Sequence, residues 1–349
     1  MTGSNELSVL RPLVCVWELT LECNCNCLHC GSSAGRARCG ELDTSRALEL
    51  VNELADLGCE CITLSGGEPL LRPDWSVLTA AICGCGMQVE LITNGLLVPP
   101  QAAAIAAAGF ASVTFSVDGP EAIHDHLRGA PGSLAHIASG AKALRERGMR
   151  VGAVTQINRV SLPHLAETLE WLVSNDFGGW QLQLTMPHGR AAAQGDLCLL
   201  PDELPALEQT IIELSVQGKM RILVGDNIGY MSCNEPRLRS LAGLGGQFWT
   251  GCQAGLSVIG ITSDGFVRGC LSQPAKLNEG NLRARSLADI WHDPSAFSYN
   301  RQFSATQLTD GCNGCAFGNI CRGGCRSLAT ATSGSVWHNP YCSHSQSRH

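Results

Sequence analysis

Cysteine is the residue that most constrains this chain. Nineteen of the 349 residues are cysteines, with four between Cys23 and Cys30 and five between Cys312 and Cys342. In a small secreted protein this number would indicate a disulfide scaffold, but a long chain in a reducing compartment keeps its thiols free. Because free thiolates in tight groups bind metal, the clustering predicts metal centres.

Composition and the N-terminal residues limit the cellular locations and the classes of binding partner that are compatible with this chain. Residues 1–8 are polar and do not lead into the apolar run of a signal peptide, and the apolar stretch 102–108 is too short to cross a bilayer. We therefore expect a cytoplasmic protein with no membrane partner. The net charge of −7 offers no attractive field to phosphates, which argues against nucleic acid as a partner.

Short β-rich runs alternate with amphipathic helical patterns in the first two thirds of the chain. Helical spacing is clear in residues 204–214. Asp43 or Thr44 is suited to cap the first helix, and Asp202 the last. The predicted strands cover residues 14–21, 61–65, 88–93, 112–117, 151–156 and 180–184.

Six β/α units in series indicate an α/β fold with a parallel sheet and helices outside it. A doubly wound sheet and a partial barrel both fit this order. Strand alternation favours a partial (β/α)6 barrel that is similar to a TIM barrel. Val113, Phe115 and Val117 suit the helix layer, whereas Thr114 and Ser116 face an interior that a ligand could fill. No G-x-G-x-x-G follows the first strand, which argues against a dinucleotide fold.

Composition changes after residue 225. We expect the barrel over residues 12–225, a loop-rich bridging segment over 226–250 and a small cysteine-rich domain over 251–345. Three glycines, Gly243, Gly245 and Gly246, lie close together in the bridge. The last domain opens with a predicted hairpin, whose strands cover 257–262 and 266–270 and whose turn is Asp264-Gly265.

Three cysteines follow the first strand directly: Cys23, Cys27 and Cys30. On a loop, their C-x3-C-x2-C spacing can hold three corners of a [4Fe–4S] cluster. A cluster that only transfers electrons would have four protein ligands, so three leave one iron open to chelate the amino and carboxylate groups of a sulfonium cofactor. A zinc site and coincidental core cysteines are the alternatives. Cys25 does not fit this ligand spacing and is interpreted as a thiol that binds no metal.

This loop is similar to that of the radical SAM superfamily, whose hallmark is the same cysteine spacing after the first barrel strand. Ser65, Gly66, Gly67 and Glu68, followed by Pro69, resemble the GGEP motif of that family. The two glycines let backbone carbonyls approach an ammonium group, and Glu68 can complement its charge. The resemblance implies S-adenosyl-L-methionine as the cofactor.

Further cofactor contacts are implied at the barrel mouth. Thr93 and Asn94 end the third strand at the rim where barrel enzymes place their chemistry. Ser116 and Arg128 are similar to the pair that binds the methionine carboxylate in this family, and a surface ion pair is the alternative for Arg128. Gln156, near the end of the fifth strand, is expected at the ribose.

The last hundred residues resemble the SPASM domain, a C-terminal extension of radical SAM enzymes that binds two auxiliary clusters. A zinc ribbon with four thiolates is the alternative. No cysteine lies in residues 253–261 to complete four ligands for the first auxiliary cluster. The resemblance implies [4Fe–4S] clusters held by Cys252, Cys270 and Cys325 in the first auxiliary site, and by Cys312, Cys315, Cys321 and Cys342 in the second.

The resemblance implies a radical oxidoreductase or maturase. A reductant such as flavodoxin or ferredoxin supplies an electron, the cofactor breaks reductively, and the 5′-deoxyadenosyl radical abstracts a hydrogen atom from the substrate. The sequence singles out no catalytic acid, base or hydrogen donor.

The favoured substrate is a ribosomally made peptide that is cross-linked, oxidised or epimerised, either presented by a separate leader-peptide-binding protein or bound directly at the barrel mouth. The alternative is a small molecule, such as a sugar, an amino acid derivative or a tetrapyrrole precursor. An iron–sulfur electron carrier is the non-enzymatic alternative. Sulfatase maturation is disfavoured, because Leu271 stands where that family has an acidic base.

Overall fold

The computed structural model describes residues 10–241 and 248–346. Residues 1–8 and the bridge glycines Gly243, Gly245 and Gly246 lie outside the described residues. The strands are β1 (Val14–Thr20), β2 (Cys61–Gly66), β3 (Gln88–Thr93), β4 (Ser112–Ser116), β5 (Val151–Ile157), β6 (Trp180–Leu184), β7 (Ile222–Val224), β8 (Val258–Ile261), β9 (Phe266–Arg268) and β10 (Gly280–Asn281).

The helices fall into a long set around the sheet and a short set near the C-terminus. The first set is α1 (Thr44–Asp56), α2 (Trp75–Gly84), α3 (Val98–Ala107), α4 (Glu121–Arg128), α5 (Ser133–Arg145), α6 (Leu165–Ser174) and α7 (Leu204–Val216). The second is α8 (Glu235–Ser240), α9 (Leu287–Trp291), α10 (Ser298–Arg301), α11 (Gly318–Cys321), α12 (Arg326–Ser333) and α13 (Ser343–Gln346). In the described ranges, no helix is long and apolar enough to span a membrane.

Strands β1 to β7 run parallel and in chain order, in a sheet that does not close. The predicted partial barrel is thus confirmed, and the six predicted strands recur with ends that differ by at most one residue. Val113, Phe115 and Val117 are fully buried, whereas Thr114 and Ser116 on the other face of β4 are half-buried. This alternation places polar side chains in the interior.

Two expectations about elements need correction, and the bridge, expected to be rich in loops, contains the short helix α8. The seventh parallel strand, β7, was missed because its three residues are too few to show alternation. Asp202 does not cap α7, because Pro201 starts a 3-10 turn that contains Asp202 and ends one residue before the helix. Asp43 does cap α1, and its carboxylate accepts a hydrogen bond from Arg46 N at 2.8 Å.

The C-terminal hairpin extends the barrel sheet instead of forming a separate one. β8 pairs parallel with β1 and antiparallel with β9, so the sheet order runs β10-β9-β8-β1-β2-β3-β4-β5-β6-β7. Glu18 of β1 strengthens this junction: it is 2% exposed and accepts hydrogen bonds from Arg38 Nε at 2.7 Å and from Ser263 N and Oγ at 3.1 and 2.9 Å. The cysteine-rich domain is therefore fixed beside the strand from which the three-cysteine loop begins.

Candidate active site

The loop that carries Cys23, Cys27 and Cys30 covers residues 21–35 and is called the cysteine loop. Its two ends are joined, because Cys23 N donates to Gly35 O at 3.0 Å and Gly35 N donates to Leu21 O at 3.1 Å. Its middle rests on the end of α4, where Leu28 N donates to the carbonyl of the residue before Arg128 at 2.9 Å. The loop is thus held by backbone bonds that leave its thiols available.

Each of the three cysteine sulfurs has a nitrogen donor beside it. Asn94 Nδ2 lies 3.8 Å from Cys23 Sγ, and Arg128 Nη1 lies 3.8 Å from Cys27 Sγ. The Cys30 sulfur accepts a bond from a loop amide at 3.4 Å. Donors of this kind stabilise the thiolate, which is the form that ligates iron, so the chemistry of this donor set fits a cluster.

Cys25 lies between two of these sulfurs. Its buried thiol donates to both Cys23 and Cys27, lowering the pKa of Cys23 to about 7 and that of Cys27 to about 5. Its own pKa is raised by the same contacts.

The nineteen cysteines all fall within the described residues, and none of them forms a disulfide.

Gly66 and Gly67 bring the end of β2 against the start of the cysteine loop. A Cβ on Gly66 would lie 2.4 Å from Thr20 O, and one on Gly67 would lie 2.1 Å from Glu22 O. Gly66 also has a φ of +135°, which favours glycine. The two glycines therefore have a packing reason of their own, besides the cofactor contact that the sequence predicts.

Glu68 connects the ends of β2 and β3 from a fully buried position. Its carboxylate accepts bonds from Thr93 Oγ1 and Asn94 N, both at 2.8 Å, and from Leu70 N at 3.3 Å. Burial raises the pKa of Glu68 to about 7. Asn94 in turn reaches the cysteine loop, where its Nδ2 donates to Asn24 Oδ1 at 2.7 Å. Three predicted cofactor residues thus form one connected group.

Arg128 belongs to a buried ion-pair network that sequence reasoning missed. Its Nε lies 2.7 Å from Asp118 Oδ2, and His29 Nε2 lies 3.2 Å from the same oxygen. Burial alone would raise the pKa of Asp118, but the charges of Arg128 and His29 hold it well below its ordinary value. Asp118 lies two residues after the end of β4, at the barrel mouth, and its place there was the sequence signal that could have identified it.

The remaining predicted cofactor residues lie at the same end of the sheet. Ser65 and Ser116 are half-buried near the ends of β2 and β4. Gln156 lies near the end of β5, and its backbone N donates to Asp118 Oδ1 at 3.1 Å. Because the carboxyl ends of parallel strands share one rim, these residues face the mouth that the cysteine loop also borders.

The cysteines of the last domain fall into two groups. Burial, and then the negative charges of Cys252 and Cys270, raise the pKa of Cys325. Burial, and then the charges of three other cysteines, raise the pKa of Cys321 to about 11. The first group is Cys252, Cys270 and Cys325, and the second is Cys312, Cys315, Cys321 and Cys342. The grouping matches the ligand sets that the resemblance implies, and their binding of clusters remains a prediction. Within residues 10–241 and 248–346, no three or more histidine, cysteine or acidic side chains are spaced for a single metal ion.

Two curated relatives span nearly the whole chain. The AdoMet-dependent heme synthase of Methanosarcina barkeri is 28% identical over 95% of this chain and 96% of its own length. The mycofactocin maturase of Mycobacterium ulcerans is 29% identical over 90% of this chain and 83% of its own length.

A solved structure shares the fold. The crystal structure of Streptococcus suis SuiB bound to S-adenosylmethionine matches with a TM-score of 0.72 and 17% identity, over 94% of this chain and 76% of SuiB. The family model of the radical SAM superfamily matches residues 17–172, and that of the SPASM iron–sulfur cluster-binding domain matches residues 252–316. The chain therefore belongs to the radical SAM superfamily and carries a C-terminal SPASM domain.

Proposed function

We propose that this protein is a radical SAM maturase that removes a hydrogen atom from a ribosomally made peptide. The observation that carries the proposal is the shared rim, where the three hydrogen-bonded thiols of the cysteine loop border the polar strand ends of an open parallel barrel. When bound there, a [4Fe–4S] cluster and S-adenosyl-L-methionine supply the radical that attacks an unactivated C–H bond.

The chain's own residues hold and orient that chemistry. Cys23, Cys27 and Cys30 serve as the iron ligands. Ser65, the two glycines and the group of Glu68, Thr93 and Asn94 form the wall for the amino group. Ser116 and Arg128 bind the cofactor carboxylate, Arg128 through a charge-assisted bond, and Gln156 meets the ribose.

The last domain supplies the proposed electron acceptors. Two further [4Fe–4S] clusters are ligated by the two cysteine groups of that domain, and they suit oxidation of a substrate radical in cross-linking or dehydrogenation. We assign residues 12–225 to the barrel, 226–250 to the bridge and 251–345 to the SPASM domain. The proposed partners are a reductant such as flavodoxin or ferredoxin and a separate leader-peptide-binding protein.

Two arginines outside the proposed cofactor site favour a peptide over a polyanionic small molecule. Arg38 pairs with Glu18. Arg326 donates to Asn300 Oδ1 and to backbone carbonyls. A tetrapyrrole with several carboxylates needs unpaired cations to bind it, and these two are already engaged. A mycofactocin maturase among the relatives agrees with a peptide substrate.

A tetrapyrrole is the second candidate, because AdoMet-dependent heme synthases are also relatives that span nearly the whole chain. Sugars and amino acid derivatives belong to the same small-molecule alternative.

The substrate class is testable with the reconstituted full chain. If a short precursor peptide is encoded beside this gene, we expect it to accelerate formation of 5′-deoxyadenosine and to change in mass spectra by loss of H2, or by uptake of one solvent deuterium if it is epimerised. Iron coproporphyrin is the comparison substrate, and a variant with alanine at the three loop cysteines is the control. Turnover of the porphyrin with an unchanged peptide would contradict the peptide assignment.

A further inference from the structure

The backbone of a segment after β6 packs directly against the backbone of the cysteine loop. It covers residues 188–190 and is called the docking segment. Gly189 has a φ of +53°, and a Cβ there would lie 2.4 Å from Gly31 O and 2.6 Å from Cys30 O. Glycine at this position therefore allows the backbone of the docking segment to approach the loop between Cys30 and its neighbour more closely than a side chain would permit.

Arg190 makes three hydrogen bonds to the backbone of the loop. Its N donates to Cys30 O at 2.9 Å, its Nε to Cys27 O at 2.8 Å and its Nη1 to Ala34 O at 2.7 Å. Two of these carbonyls belong to predicted iron ligands, and the third belongs to the closing end of the loop. One rigid guanidinium thus fixes the spacing between Cys27 and the return strand of the loop.

One nitrogen of this guanidinium has no acceptor in the part of the chain that the structure describes. Arg190 Nη2 is sealed from solvent and has no hydrogen-bond partner among the described residues. A buried donor without a partner is unfavourable, and buried polar groups in folded proteins are almost always satisfied. An acceptor that is absent from the polypeptide, such as a group held by the loop, would remove this cost.

We propose that Arg190 is the positioning residue of the cysteine loop: it sets the ligand geometry of Cys27 and Cys30 and places a half-buried positive charge beside the cluster that they hold. The inference rests on the proposed function, since it takes the loop cysteines as iron ligands. Nearby positive charge and hydrogen bonds tune the potential of a cluster, so Arg190 acts on both its retention and its redox behaviour.

The test compares three variants of the reconstituted full chain. Arg190→Gln removes the charge, Arg190→Lys keeps the charge but loses the planar fork, and Gly189→Ala keeps Arg190 but pushes the docking segment off the loop. Arg150→Gln is the matched control, because Arg150 Nε also donates to a backbone carbonyl, Ala111 O at 3.0 Å, but from an exposed position at the other end of the sheet.

The readouts are iron release to a chelator and the EPR signal that shifts when S-adenosylmethionine is added, which identifies the loop cluster. We expect Arg190→Gln and Gly189→Ala to lose that cluster about 10- to 100-fold more readily, with auxiliary iron retained, since partners that hold metal ligands have effects of this size. Arg190→Lys should keep part of the iron with an altered signal.

Three outcomes would overturn the proposal. The first is a wild-type EPR signal and a wild-type rate of iron release in all three variants, and the second is equal loss of loop and auxiliary iron, which would indicate general unfolding. The third is equal loss in the Arg150→Gln control. A wild type that shows no signal responsive to S-adenosylmethionine would instead contradict the proposed function, so the two failures are distinguishable.

Discussion

Replacing Cys23, Cys27 and Cys30 together with alanine should lower the iron content of the reconstituted protein from about twelve to about eight atoms per chain, if each site holds four irons. The loss should be confined to the loop, because the auxiliary cysteines lie in separate groups in the last domain. Cofactor cleavage should fall to zero, since the three loop cysteines are the proposed ligands of the cluster that binds the cofactor. Iron analysis and product chromatography on the same sample measure both effects.

A matched triple variant separates ligand loss from general thiol loss. Cys39, Cys83 and Cys85 are exposed and lie outside all three groups, so their replacement with alanine should leave the iron content unchanged. Equal iron loss in this variant would contradict the assignment of the three loop cysteines as specific iron ligands. One zinc per chain with little iron in the wild type would contradict the assignment of the last domain and favour a zinc ribbon.

Arg128→Ala should weaken binding of S-adenosylmethionine and also destabilise the fold. A charge-assisted bond contributes about 1.5–3 kcal/mol, so affinity should fall roughly ten- to a hundredfold. Removing Arg128 leaves the buried Asp118 with His29 and the Gln156 backbone N as its remaining partners, and loss of one partner of a buried pair costs up to about 3–5 kcal/mol of unfolding free energy. A binding isotherm on iron-replete protein and a denaturant titration measure the two effects separately.

The double variant Arg128→Ala/Asp118→Asn separates the two roles. It removes the buried carboxylate, so it should recover much of the stability without recovering cofactor affinity. Arg128→Lys should restore only part of the affinity, because lysine lacks the bidentate fork. Unchanged affinity in iron-replete Arg128→Ala would assign Arg128 to its pair with Asp118 and not to the cofactor.

Sequence patterns predict the fold of this chain well because strand alternation and helix spacing can be read from residues that are close together in sequence. Alternation in β4 separates Phe115, which packs on the helices, from Ser116, which faces the interior. Helix spacing and strand order then indicate the barrel. β7 has only three residues, and too short a strand carries no periodicity of its own.

The contacts around the cysteine loop were harder to predict because they join residues that are distant in sequence. Arg190 bonds to Cys27 across 163 positions, and no motif marks that pairing. Asp118 and His29 are brought together only by the way the cysteine loop rests on α4. Motifs therefore indicate the predicted ligands, whereas the side chains that hold those ligands in place emerge only from the folded chain.

The most direct test of the central claim is the product that the wild type forms from S-adenosylmethionine under anaerobic conditions with a strong reductant. We expect 5′-deoxyadenosine, formed slowly without substrate and faster with it, and none from the variant that lacks the three loop cysteines. S-adenosylhomocysteine as the only product would indicate methyl transfer and would contradict radical chemistry at this site.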